Sequence, residues 1–464
     1  MVKIKINTSV ILMSLIALTA IATWIIPAGK YEKTEVNGRQ VIVAASFHYI
    51  ESSPQKLFDI LQAPMKAFTR SAAAEIMAFL LIIGGAFMII ERTGAITAAI
   101  KRASAQFIKY PALKRFYIPV TMLLFSIGGA TFGMSEETLI FIPIFIPLSL
   151  SLKYDSALGV AIPFLGAAAG FAGAFANPFT LGIAQGIAQI PLYSGLPLRI
   201  IIWAASTAIA VIFVMLYANK IEKNPKASLT YEFDREKREE LHLSDKTEER
   251  FTKSRKLVLA AFAITMILLI YGVLKRGWYI TEIGGLFFGL AIIAAVLGRM
   301  KINDATAAFY DGVRGMAEIV FLLALATSII IIAENGNILD TILNYMAAAI
   351  SKLNATFASW IAFIMQAVIN FFIPSGSSKA VLTMPILAPL SDLIGISRQT
   401  MILAYQFGDG WTNVCIPTNA VLLGAIGMAK ISFQKWFKFV APLVIAWFVM
   451  SFIFLSIAVY INWQ

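Results

Sequence analysis

The chain reads as an all-α polytopic membrane protein built from two inverted repeats, each carrying a re-entrant helical hairpin and a broken helix. Three observations lead there. Of its 464 residues 59% are hydrophobic and only 14% charged, with a mean hydropathy of +0.79, too apolar to divide between a soluble core and a wetted surface. Lys and Arg gather in a few polar stretches between apolar runs. Motifs of the first half return in the second at a constant offset. A span takes about 20 apolar residues, and such stretches suffice for about nine or ten passes. This composition excludes a soluble enzyme, a secreted disulfide scaffold and a nucleic-acid-binding domain. The net charge of +12 therefore reports topology. Cys415 is the single cysteine, and His48 and His242 are the only histidines, too few and too far apart to suggest zinc. No metal or cofactor is expected.

The first repeat is assigned to residues 1–219. After Lys3 and Lys5, the apolar run from Val10 to Pro27 reads as an uncleaved first helix over 8–28. A polar stretch from Ala28 to Ser71 follows, with a turn at Asn37-Gly38, and then a helix over 72–91. Arg92, Lys101, Arg102, Lys109, Lys114 and Arg115 follow with no acid among them, which places 92–115 and the amino terminus in the cytoplasm. A hairpin is expected over 116–152, a broken helix over 157–190 and a helix over 197–219. Residues 220–256, with eleven Lys or Arg and nine Asp or Glu, form a cytoplasmic linker whose interior, Tyr231 to Arg250, reads as a solvated charged helix or a disordered segment. A connecting helix and the second repeat fill 257–464, with a hairpin over 354–395, a broken helix over 398–430 and a last helix over 436–463. Lys430, Lys435 and Lys438 keep the start of that helix inside and put the carboxyl terminus outside.

Shifting by 242 residues lays Ser135–Ser149 (SEETLIFIPIFIPLS) on Ser377–Ser391 (SSKAVLTMPILAPLS), with Pro143, Pro147, Leu148 and Ser149 on Pro385, Pro389, Leu390 and Ser391. The same shift carries Gly166 to Gly408, Asn177 to Asn419 and Gly182 to Gly424. With one residue more, Ala74-Glu75-Ile76 falls on Ala317-Glu318-Ile319 and Glu91 on Glu334. By the charge rule, the helix near Ala72 runs inward and its counterpart near Met316 outward. Inverted repeats with interrupted helices mark secondary transporters that bind substrate at the midplane.

Each repeat is interrupted twice. The hairpin tips are Gly133–Thr138 and Pro374–Lys379. Unwound backbone at membrane depth is tolerable only if it lines a cavity or meets a ligand, and the helix leaving each tip aims its positive end at the site. The second interruptions are the small-residue stretch Gly166–Pro178 and its counterpart Gly408–Asn419, where Gly permits unwinding, Pro removes a donor and Asn or Thr offers oxygens. A small-residue packing face with a proline kink is the competing reading of either stretch alone. The substrate-binding candidates are Ser135, Glu136, Glu137, Thr138 and Asn177 from the first repeat, and Ser377, Ser378, Lys379, Asp409, Asn413, Thr418 and Asn419 from the second. A buried charge costs about 2.5 to 3.5 kcal/mol on insertion scales, so Glu136, Glu137, Lys379 and Asp409 need a purpose: binding a cationic substrate, carrying a proton, or pairing a Glu with Lys379 across the tips. On a helix the two adjacent Glu cannot face the same way.

The stretches FGMSEET (Phe132–Thr138), PSGSSKAVLTMPILAPLS (Pro374–Ser391) and GDGWTNVCIPTN (Gly408–Asn419) resemble the YfcC-like branch of the anaerobic C4-dicarboxylate carrier (DcuC-like) group, a branch associated with basic amino acid antiport within the ion transporter superfamily. The resemblance spans nearly the whole chain. It implies a scaffold domain and a mobile transport domain, each with parts from both halves, an elevator-type movement and a homodimer. The superfamily's divalent-anion/sodium symporters carry a Ser-Asn-Thr signature at both tips; the matching positions here are Ser135-Glu136-Glu137 and Ser377-Ser378-Lys379.

The expectation is a secondary transporter of amino acids in a bacterial inner membrane, a cationic amino acid exchanger with Na+ or H+ as possible coupling ions. A C4-dicarboxylate or other carboxylate carrier on the same fold is the competing reading. A channel would use similar re-entrant helices. Enzyme chemistry and ATP-driven transport find no nucleophile–base pair and no phosphate-binding loop to rest on.

Overall fold

The computed structural model describes residues 8–36, 39–43, 46–99, 102, 110–235, 252–350 and 353–464. Lys3, Lys5, Asn37-Gly38, Lys101, Lys109, His242 and the remainder of the linker from 236 to 251 lie outside the described residues.

Helix α1 (Thr8–Ile25) is followed by two short antiparallel pairs, β1 (Gly29–Lys30) with β4 (His48–Tyr49) and β2 (Lys33–Val36) with β3 (Arg39–Ile42). Then come α2 (Leu57–Thr69), α3 (Ser71–Arg92), α4 (Pro111–Phe132), α5 (Thr138–Ser151), α6 (Ser156–Ala172), a π turn (Pro178–Gly182), α7 (Ile183–Ile187) and α8 (Leu196–Lys223). The second half holds α9 (Lys253–Tyr271), α10 (Ile280–Leu297), α11 (Ile302–Asn335), α12 (Leu339–Ile350), α13 (Ala355–Phe372), α14 (Gly376–Leu393), α15 (Arg398–Thr412), α16 (Ala420–Met428) and α17 (Phe433–Tyr460). Among the described residues seven helices are long and apolar enough to cross a membrane, and four shorter apolar helices accompany them. Large apolar side chains stand exposed along α1, α8 and α17, among them Trp24, Leu216 and Ile445. Water would not tolerate such faces, whereas lipid does: the chain is a multi-pass membrane protein.

Local chemistry sets the ends of the central helices. Asp155, Asn354 and Ser397 accept backbone N–H bonds from Leu158 (2.8 Å), Phe357 (3.1 Å) and Thr400 (3.1 Å) and so start α6, α13 and α15. Gly133 ends α4 in the left-handed region, φ 73°, where a side chain would be strained. Ser156 and Arg398, the first residues of α6 and α15, stand 242 apart; so do Pro178 and Ala420, where each broken helix resumes. With the one-residue-longer shift, α11 covers in one 34-residue helix what α2 and α3 cover in two, because the chain bends at Arg70, extended at φ −79°, ψ 116°.

Helices α3 and α11 pack antiparallel. Arg70 at the start of α3 makes a two-pronged pair with Glu334 at the end of α11 (2.6 and 2.8 Å), and Arg92 at the other end of α3 meets Asp311 near the start of α11 at 3.3 Å. These half-exposed pairs contribute about 0–1 kcal/mol each; what brings the helices together is close backbone approach. A Cβ on Gly312 would stand 2.1 Å from the Gly84 carbonyl oxygen, and one on Gly84 would stand 2.8 Å from that of Gly312. Around this crossing pack α1, α2 and α10. Helices α4 to α6 and α8 pack with one another, α13 packs on α15, and α15 joins the groups by touching both α6 and α17.

Two stretches differ from the sequence expectation. The polar region after α1 contains an amphipathic helix, α2, whose Leu57, Phe58, Leu61, Met65 and Phe68 are exposed while Ala63 and Ala67 are buried; averaging over its charged flanks hides that face. In the linker, Glu222 to Lys226 are exposed, but Ser228, Thr230 and Asp234 dock on the start of α6. Asp234 accepts the N–H of Ser156 (2.9 Å) and the hydroxyls of Ser156 and Thr230 (both 2.5 Å), while Asp155 accepts from Tyr217 (2.5 Å) and Ser228 (2.8 Å). The free N-terminal N–H groups of α6 supply that docking site. Burial pushes the Asp155 carboxyl above the usual carboxylate range, against the hydrogen bonds that Tyr217, the Leu158 N–H and Ser228 donate.

Gly312→Ala should therefore lower unfolding stability in detergent by about 1–3 kcal/mol, the range for overpacking. On the same helix Gly315→Ala, where nothing lies within 4 Å, should instead raise it by about 0.5–1 kcal/mol, the helix-propensity gain of Ala over Gly. Equal thermal midpoints for the two variants would refute the close crossing.

Candidate functional site

Between α4 and α5 the chain turns at Gly133–Glu137, and between α13 and α14 at Ile373–Ser375. The broken helices open at Gly173–Asn177 and Asn413–Asn419. All four irregular segments converge on one buried region. Gly133 stands against Asn177, since a Cβ there would lie 2.7 Å from Asn177 Oδ1. A Cβ on Gly376 would lie 2.5 Å from Thr180 Cγ2 and 2.9 Å from Asp409 Oδ2. The turn from 177 to 180 is thus bracketed by both tips.

Each broken helix restarts on an asparagine. Asn177 Oδ1 accepts from the N–H of Phe179 (2.8 Å) and Thr180 (3.3 Å), and Asn419 Oδ1 from the N–H of Leu422 (2.9 Å). The caps satisfy donors that the break exposes. A third asparagine, Asn370 on α13, crosses to the second break: its Nδ2 lies within 3.0 Å of the Asp409 carbonyl, Thr412 Oγ1 and Asn413 Oδ1. Asn419 Nδ2 reaches the same Asn413 oxygen at 3.0 Å.

At the centre lies an ion pair. Lys379 Nζ, on the first turn of α14, is 2.9 Å from Asp409 Oδ1 on α15, with the side chains 0% and 1% exposed. Nζ also donates to Asn370 Oδ1 (3.0 Å) and to the Gln366 carbonyl (3.4 Å) and lies 5.6 Å from the centre of the Tyr405 ring. The Tyr405 hydroxyl donates to the Gly376 carbonyl at 2.6 Å, tying tip to broken helix. Asp409 Oδ2, both side-chain amide atoms of Gln366, Asn177 Nδ2, Thr180 Oγ1 and Thr418 Oγ1 are buried without a hydrogen-bond partner among the described residues. Native interiors leave few such atoms, so their gathering here marks a place where a ligand or a rearrangement completes the bonding.

The acids of the first tip point elsewhere, and in different directions. Glu137, 6% exposed, folds back to accept the Ser135 N–H at 3.0 Å, and Thr138 donates to the Ser135 carbonyl at 2.5 Å. Glu136 accepts from the Tyr279 hydroxyl at 3.1 Å, Tyr279 being the residue that precedes α10. Lys379 takes Asp409, not a glutamate, as its partner. Ser135, Thr138, Asn413 and Asn419 line a small cavity together with Gly410 and Phe171; about 20 Å³ of it admits the centre of a water-sized sphere, room for about one water. Ser377, half-buried, and Ser378, exposed, are bonded to Ser375 of the second tip at 3.4 and 3.1 Å. Thr418 is buried in the break, 3% exposed. Trp411 stacks on Trp447, centroids 4.6 Å apart, and donates to Ser451 at 2.8 Å, so it packs. His48 is exposed on β4. Asn370, Gln366, Tyr405 and Tyr279 are not among the candidates drawn from the sequence. Two amides one turn apart on an otherwise apolar helix were the available signal.

A multi-pass membrane protein that buries an ion pair among unwound helix segments has the makings of a transporter. Its relatives say which kind. The sequence signature of the C4-dicarboxylate anaerobic carrier family (DcuC) matches residues 7–460, and the chain belongs to that family of membrane transporters. It is 36% identical, over 96% of its length and 94% of the relative's, to the Escherichia coli (strain K12) protein named "Putative basic amino acid antiporter YfcC". A Haemophilus influenzae (strain Rd) protein without a described function is 27% identical over 94% of this chain and 93% of its own. Among solved structures, the YdaH transporter of Alcanivorax borkumensis aligns with TM-score 0.41 and 15% identity over 99% of both chains. The antimetabolite efflux pump MtrF of Neisseria gonorrhoeae aligns with TM-score 0.42 and 18% identity over 98% and 95%.

Removing one partner of a buried pair leaves the other uncompensated, at about 3–5 kcal/mol. Asp409→Leu should lose about that much stability, and Lys379→Met/Asp409→Leu should recover most of it. A double variant as unstable as the single one, by denaturant unfolding in detergent, would mean that the two side chains are not a pair.

Proposed function

We propose that the chain is a secondary active transporter of amino acids in the bacterial inner membrane, exchanging cationic amino acids of the arginine or ornithine type by alternating access. The observation that carries this reading is Asp409: a buried carboxylate with a free second oxygen, set where both tips and both breaks meet. Among the three acids at the interruptions, Glu137 accepts from the Ser135 N–H and Glu136 from the Tyr279 hydroxyl, so Asp409 is the one placed to take a substrate cation. Substrate carboxylate falls to Ser135, Thr138, Asn413 and Asn419 with Asn177 Nδ2, and the oxygens of the small cavity also suit a coupling Na+, with a carboxylate-borne H+ as its alternative. The name of the Escherichia coli relative agrees with a basic amino acid.

On this reading the repeats, 1–219 and 257–464 about the cytoplasmic linker 220–256, are inverted, which the antiparallel packing of α3 on α11 supports. The hairpins α4–α5 and α13–α14 are re-entrant from opposite faces and move with the broken helices as the transport domain, against a scaffold of α1 to α3 and α9 to α11 in a homodimer. The amino terminus is cytoplasmic and the carboxyl terminus outside. A carboxylate carrier is the second reading, favoured by the buried Lys379 and by the family's description.

Counterflow in proteoliposomes preloaded with unlabelled arginine, ornithine, lysine, a neutral amino acid or succinate decides between them. Arginine or ornithine should drive entry of its own labelled form, and Asp409→Asn should slow it by about tenfold or more, as loss of a charge-assisted contact does. Glu136→Gln should also impair it, and His48→Ala should not. Accumulation with succinate alone would overturn the cationic reading.

A further inference from the structure

The Asp409 carboxylate already holds a cation, and that cation belongs to the chain. A salt bridge with a purely structural role is expected to satisfy the remaining lone pairs of its carboxylate, because only then does attraction repay desolvation. Here Asp409 Oδ2 has no partner, although the side chain is 1% exposed. Beside it runs the bare backbone of Gly376, where a Cβ would stand 2.9 Å from Oδ2 and 2.5 Å from the Thr180 methyl. Oδ2 is thus a buried acceptor still owed a donor, and an ammonium or guanidinium from outside the chain can supply one.

Lys379, for its part, has somewhere else to go. Without leaving its place on α14, Nζ already touches Asn370 Oδ1 at 3.0 Å and the Gln366 carbonyl at 3.4 Å, and faces the Tyr405 ring at 5.6 Å. All of these are neutral. The side-chain oxygen of Gln366, fully buried one turn before Asn370, is a further acceptor without a partner. A rotation of the lysine end off Oδ1 therefore trades one charged contact for neutral ones and does not strand the ammonium in an apolar interior.

We propose that Lys379 is a tethered competitor of the substrate's cationic group for Asp409: the lysine neutralises the carboxylate when no substrate is bound and turns onto Asn370 and Gln366 when an ammonium or guanidinium takes its place. The inference rests on the cationic-substrate reading above. The Lys379–Asp409 contact also joins the hairpin helix α14 to the broken helix α15, so binding replaces a direct link between them by one that runs through the ligand. Competition of this kind weakens apparent affinity by the fraction of molecules in which the site is free. Deleting the competitor should then strengthen binding, whereas deleting a structural pair or a carboxylate-binding lysine should weaken it.

The test is direct binding of arginine and ornithine to the purified full-length protein in detergent, followed by calorimetry and by the ligand-induced rise in thermal midpoint. Lys379→Met should bind about tenfold more tightly than wild type, as removal of such a population penalty predicts, and show the larger ligand-induced rise. Lys379→Arg should stay near wild type, and Lys379→Met/Asp409→Asn should lose the gain. Should Lys379→Met not purify as a monodisperse species, Lys379→Gln, which keeps a donor for Asn370 Oδ1, carries the same expectation. Unchanged or weaker binding in the lysine variant, with wild-type binding intact, overturns the competitor role and leaves the cationic reading standing. Binding of succinate but of neither cation by wild type overturns both.

Discussion

A bilayer offers no water to an unwound backbone, and this constraint organises the centre of the molecule. Four segments leave helical geometry in the interior of the helical bundle, and each must find partners for the groups it frees. Asn177 and Asn419 restart the broken helices, Glu137 bonds the backbone of its own tip, and Asn370 reaches across to the second break. The polar centre is what these repairs add up to. Once it exists, a lysine and an aspartate can be buried in it at a cost that neither would meet on a lipid-facing surface.

The repairs also distribute roles among side chains that look equivalent in sequence. Glu136, Glu137 and Asp409 are all acids at interruptions. The Ser135 N–H occupies one oxygen of Glu137 and the Tyr279 hydroxyl one of Glu136, and of the three only Asp409 has a carboxylate oxygen that is buried without a hydrogen-bond partner among the described residues. The buried centre is consequently asymmetric although sequence motifs recur in both halves: its ion pair comes from the second half, while the first half contributes the 177–180 turn and the small cavity's Ser135 and Thr138. Position 167, the counterpart of Asp409, is alanine.

Much of the architecture was legible because its signals are local. Asp155 and Ser397, Gly133, and the proline-bearing helices after the tips announce boundaries through capping and left-handed geometry, and a fixed offset shows that two such series are related. The amphipathic α2 was hidden by its polar neighbours, the fusion of its counterpart into α11 by a bend at a single extended residue, and the docking of Ser228, Thr230 and Asp234 by a charge pattern that resembles any solvated linker. Asn370 and Gln366 looked like ordinary bridging amides, since nothing local says that they face a lysine nine or more residues further on.

By itself the amino-acid sequence determined the membrane environment, the helical class and the places where helices break, because hydropathy, charge placement and turn chemistry act over a few residues at a time. Only the tertiary structure decided which charges meet. Lys379 pairs with Asp409 rather than with Glu136 or Glu137, since the partner of a buried ion is set by which helices cross and which side chains their caps have already consumed, and these depend on contacts between residues far apart in the chain.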